Sequence, residues 1–131
     1  MMTYVIGAVL ALAVCGAGTI FRLDRDRAFY PIMMIVIAAF YGFFAVVGGS
    51  TRALVQESIA IAIFFALAIA GFKRNLWIVV LALFAHGVFD FVHAGIIPDR
   101  GVPAWWPPVC LAYDIVTAAY LAVLLKSRQL R

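Results

Sequence analysis

Apolar residues run almost without interruption along this chain, and its polar residues fall between the runs in short clusters. Five apolar stretches stand out, at about residues 4–20, 29–47, 53–72, 76–97 and 107–125. Each falls within the roughly 17–25 residues that a membrane-spanning helix requires. The breaks carry helix punctuation: Arg22, Asp24, Arg25, Asp26 and Arg27; then Gly48, Gly49, Ser50 and Thr51; then Lys73, Arg74 and Asn75. Pro31 suits the first turn of the second helix, and Ser50 or Thr51 can cap the third. The pattern predicts an all-α membrane protein, a five-transmembrane-helix bundle forming one domain over residues 1–131.

Composition removes the soluble alternative. Of the 131 residues 67% are hydrophobic and only 12% charged, whereas a soluble domain carries about 25% charged residues. Such a chain cannot cover itself with polar surface. The first apolar run has no basic segment before it and is followed by further spans, so it is expected to be a retained helix and not a cleaved signal. The net charge of +4 resides in loops, with no basic helix or aromatic nucleic-acid motif beside it, which argues against nucleic acid as a partner. It reads as topology. Arg22, Arg25, Arg27, Lys73, Arg74, Lys126, Arg128 and Arg131 fall on one side, against Arg52 and Arg100 on the other. Because cytoplasmic loops hold the excess of Lys and Arg, the N-terminus is expected outside and the C-terminus inside. Cys15 and Cys110 both lie within spans, where apolar surroundings favour inert thiols over a disulfide.

On the first helix Gly7, Ala11, Cys15 and Thr19 recur every four residues, a small-residue stripe that favours close helix packing. Phe40, Tyr41, Phe43 and Phe44 fall at the outer end of the second helix, as core or as an interfacial belt. No internal repeat is visible, which argues against a transporter built from inverted halves.

Five residues contradict this apolar setting. Glu57, Asp90 and Asp114 fall inside spans, and so do both histidines, His86 and His93. Placing an ionised group in lipid costs at least ~2.5 kcal/mol even on the milder insertion scale, so such groups face a partner, a cavity or a site. In the fourth helix His86, Asp90 and His93 are spaced by four and three residues. At about 100° per residue they fall within about 60° of one another on one face. Counting 1.5 Å per residue from the loops places Glu57, Asp90 and Asp114 each roughly 9–11 Å below the outer boundary. Three consecutive helices therefore bring their carboxylates to one level, with His93 above it and His86 below.

Three carboxylates so close in a low dielectric do not all remain ionised unless a cation joins them. Two imidazoles with two or three carboxylates suit Zn²⁺, Fe²⁺ or Mn²⁺, and helix bundles build such centres from facing side chains. The leading expectation is a membrane-embedded metal-dependent enzyme acting on a lipid or other apolar substrate. His86, Asp90 and His93 would hold the metal, joined by Glu57 or Asp114, and the remaining carboxylate of these two would act as general base. Cys110, one turn before Asp114, can add a thiolate but reads first as an inert thiol. Hydrolysis and oxidation share these ligand types.

Two other readings stay open. One is a proton- or ion-coupled carrier with Asp90, His86 and Asp114 as a relay, although the inner half then holds only Thr117 and Tyr120 and lacks a charged station unless a homo-oligomer supplies the path. The other is an assembly subunit whose polar network fixes helix register, with Asp90 and Asp114 bonded to a histidine or tyrosine and Glu57 paired with Arg52 or Arg100. Between His93 and Asp114 the proline-rich loop with Trp105 and Trp106 reads as an interfacial anchor or a stiff lid.

The segments RAFYP at 27–31, HGVFDFVH at 86–93 and GVPAWWPPVCLAYD at 101–114 resemble an uncharacterised family of small bacterial polytopic inner-membrane proteins. The resemblance spans most of the chain and implies a bacterial inner-membrane location, in contact with membrane lipids. It implies no activity and no ligand set.

Overall fold

A computed structural model describes residues 1–127 and shows five helices: α1 (Met2–Ile20), α2 (Phe29–Val47), α3 (Thr51–Lys73), α4 (Trp77–Ile96) and α5 (Trp106–Lys126). All five are long and apolar enough to cross a membrane, and no strand occurs among the described residues. Their bounds depart from the apolar runs by at most two residues, because runs and helices end at the same polar breaks. Arg128 and Arg131, two of the eight cations behind the expected orientation, lie outside the described residues.

Local chemistry explains the ends. Arg22 adopts a left-handed backbone conformation at φ 63° and turns the chain after α1 into a single 3₁₀ turn, Leu23–Arg25. Ser50 caps α3, its hydroxyl accepting from the Ala53 amide at 3.1 Å, and the Asn75 side chain accepts from the Trp77 amide at 3.0 Å. Arg27 donates to the carbonyls of Gly71 and Phe72 at the end of α3. That contact places a cation against free carbonyls and ties together the two loops at this boundary.

The helices pack in the spatial order α1, α5, α4, α3, α2, with α2 also touching α4. Glycine permits the closest approaches. Gly7 of α1 lies so near the Val109 carbonyl of α5 that a Cβ there would collide with it. The small-residue stripe is thus a packing surface, with Gly7, Ala11 and Cys15 buried. Although consecutive in sequence, α1 and α2 do not pack along each other; α1 leans on α5 and α2 on α3, which leaves a seam between them.

The distribution of side chains suits a lipid solvent. Large apolar residues such as Val55, Leu81 and Phe91 point outward, whereas Asp24, Glu57, His86, Asp90, His93, Asp114 and Thr117 are buried. Ionisable residues in spanning helices do face the bundle interior when lipid surrounds it.

Candidate metal centre

The α4 face carrying His86, Asp90 and His93 points into the bundle, and all three side chains are buried. Gly87 makes room beside them: a Cβ at this position would sit 3.4 Å from the Asp114 Cβ and 3.1 Å from Ile115. Across this contact Asp114 Oδ2 lies 2.6 Å from His86 Nδ1. Asp90 Oδ2 is 3.5 Å from the same nitrogen. Cys110, one turn along α5, completes a group of four residues whose ligand-capable atoms all lie within 4.8 Å of one another. A buried His, Asp, Cys, Asp group of this kind can hold a metal ion.

Glu57 and His93 form a neighbouring pair, with Oε1 2.5 Å from Nε2. Among the described residues Glu57 pairs with His93 and with neither Arg52 nor Arg100. Tyr41 connects the two constellations. Its ring stacks on His93 with centroids 3.9 Å apart, and its hydroxyl donates to Asp90 Oδ1. Phe64 and Phe89 pack edgewise against the imidazoles and exclude solvent. The structure therefore brings His86, Asp90 and Asp114 together, adds Cys110, and sets His93 with Glu57 alongside.

The hydrogen-bond inventory leaves an imbalance. Asp90 Oδ2, Asp114 Oδ1 and Glu57 Oε2 are buried without a hydrogen-bond partner. Native proteins pair the large majority of buried polar atoms, and each exception needs an explanation. Asp90 does bond a tyrosine and Asp114 a histidine, as a register-fixing network requires. Such a network alone gives no partner to the remaining oxygens of Asp90 and Asp114. A cation does, since an imidazole nitrogen, carboxylate oxygens and a thiol sulfur are the donor types of zinc and iron sites.

The half of the bundle next to the α1–α2 loop, expected to be the inner one, is more polar than the sequence suggests. Asp24 is buried in the 3₁₀ turn, where its Oδ2 accepts from the Thr19 hydroxyl at 2.7 Å. Thr19 is also 2.8 Å from the Tyr120 hydroxyl, and one turn nearer Asp114 the Cys15 thiol is 3.9 Å from the Thr117 hydroxyl. The expectation that this half lacks a charged station is thus corrected: the loop folds back and carries Asp24 inside. Spacing along one helix cannot show a side chain that enters from a turn.

Tyr41 escaped the sequence reading for a similar reason. In a row of four aromatics it looks like belt, and only its 1% exposure distinguishes it from Phe43 at 58%. Cys110 carried a visible signal, its position one turn from Asp114.

Comparison of the chain with protein-family models, with curated proteins and with solved structures gives no match. The geometry alone defines the class, a multi-pass helical membrane bundle with a buried group of metal-binding character.

Proposed function

We propose that this protein is a membrane-embedded metal-dependent enzyme of the bacterial inner membrane, acting on a lipid or other apolar substrate. The observation that carries the reading is the four-donor group His86, Asp90, Cys110 and Asp114, wholly inside the bundle and with unpartnered carboxylate oxygens. A thiol beside an imidazole and two carboxylates favours Zn²⁺, with Fe²⁺ next and Mn²⁺ last, because sulfur suits the softer ions. When bound, such an ion polarises a substrate carbonyl or lowers the pKa of a water molecule.

The chain's own residues supply the rest. Glu57 and His93 hold a proton between Oε1 and Nε2, and the free Oε2 makes Glu57 the group to exchange protons with substrate. Tyr41 holds Asp90 by one oxygen and so leaves the other for a ligand. Phe64 and Phe89 keep bulk water out, which strengthens every electrostatic interaction within.

A second reading, a proton relay through the same carboxylates, draws support from Asp24 and its bonded Thr19 and Tyr120 at the inner end. Metal analysis of protein purified without chelator or metal-affinity tag separates the two. Near-stoichiometric metal is the expected outcome for the enzyme; a metal-free protein refutes it and leaves the relay.

A further inference from the structure

The seam between α1 and α2 contains a cavity of about 360 Å³, within the range of small-molecule sites. Leu10 lines it from α1, Val36 and Phe40 from α2, and Val109 and Cys110 form its floor on α5. Leu10 and Val36 are each about half exposed, so the cavity opens sideways into the bilayer and not toward water. Its walls are almost entirely apolar. Cys110 belongs both to this floor and to the four-donor group, and it is the point at which the apolar cavity touches the polar centre.

The two ends of the seam differ. Toward the N-terminus of α5 it is lined by Trp106, next to Trp105, which is exposed. In the other direction the cavity shares Met33 with a second groove that runs on to Arg22 at the opposite boundary. From Phe40 back to Phe29 the seam is roughly 16 Å long at 1.5 Å per residue. Cys110 lies four residues below Trp106, about 6 Å deeper along the helix. A long apolar body fits this arrangement.

We propose that the α1–α2 seam binds one acyl chain of a phospholipid from the leaflet at the N-terminal end of α5, entering laterally, with its ester region beside Trp106 and Cys110. The proposal rests on the enzyme reading for its consequence, since it presents the ester region of the lipid to the four-donor group; the binding itself stands without it. A bilayer phospholipid is the occupant because the opening faces acyl chains, the lining offers them apolar contact, and Trp105 and Trp106 mark the interfacial level at which a lipid's ester region lies.

The test is photo-crosslinking of the full-length protein in nanodiscs of phosphatidylethanolamine and phosphatidylglycerol doped with a phosphatidylcholine carrying a diazirine midway along one acyl chain. Adducts are mapped by mass spectrometry at the seam and, for comparison, at the lipid-facing Ile59 of α3, which is 62% exposed. Seam adducts should saturate as the probe is increased, while those at Ile59 rise in proportion. Filling the cavity by Val36→Phe or Val109→Phe should reduce seam adducts to the Ile59 level, and Val36→Ala should retain them. Seam adducts that never saturate, or that persist in both filled variants, overturn the proposal. Metal content measured on the same samples keeps the two claims apart: metal without saturable adducts removes only the lipid site, and saturable adducts without metal remove only the enzyme.

Discussion

His86 occupies the position where the demands of the centre meet. One ring nitrogen faces two aspartates, at 2.6 and 3.5 Å, and the ring itself is walled by Phe64. His93 stands on the same helical face, yet its partner is Glu57 and its ring is covered by Tyr41. The two histidines thus have different partners. His86→Ala should lower metal occupancy at least about 10–100-fold in affinity, the range seen even for groups that only support ligands. His93→Ala should leave the metal in place and depress turnover. Metal content per folded chain in the two variants checks this, and equal losses in both would merge the two constellations into one site. Much of the centre was legible from residue type and spacing, since His86, Asp90, His93, Glu57 and Asp114 are ionisable where lipid penalises charge. The division of labour was not. A helical wheel shows which face a residue is on, but not which neighbouring helix meets it, and that depends on helix rotation.

Among the elements, α4 and α5 make the interface that matters most, and glycine governs it. Gly87 lies in that interface, where a Cβ would stand 3.1 Å from Ile115 and 3.4 Å from the Asp114 Cβ. Gly87→Val should therefore reduce bound metal although all four donors remain, because a branched side chain must displace the Ile115 side chain and crowd Asp114. Overpacking of this kind costs about 1–3 kcal/mol. Gly16→Val on α1, where a Cβ would meet nothing within 4 Å, serves as the control and should bind metal normally. Occupancy and thermal unfolding of both variants give the comparison; unchanged metal in Gly87→Val would show that the interface yields without disturbing the centre. The helices themselves were readable almost to their ends, since hydrophobic length and loop charge set them. Their neighbours were not readable, because α1 skips α2 to lie on α5, and that choice is made by Gly7 and the small stripe against Val109.

For the whole molecule, the charge asymmetry of the loops predicts that the α4–α5 loop lies outside the cell and the α3–α4 loop inside. A reporter active only in the cytoplasm should be silent when fused at Arg100 and active at Arg74; the reverse result would invert the bundle and place the centre in the inner half. The arrangement as a whole spends polar groups sparingly, gathering them along the bundle interior and leaving its outer surface to lipid. That economy explains how so short a chain can carry a buried four-donor group, an adjoining histidine–glutamate pair and an apolar seam between α1 and α2. The central claim is the donor set, and X-ray absorption at the metal edge of the purified protein tests it most directly. The account predicts one sulfur scatterer at about 2.3 Å with nitrogen and oxygen donors near 2.0–2.2 Å, as zinc requires, and the sulfur signal should vanish in Cys110→Ser. A spectrum with no sulfur in the wild-type protein, or one that Cys110→Ser leaves unchanged, would contradict it.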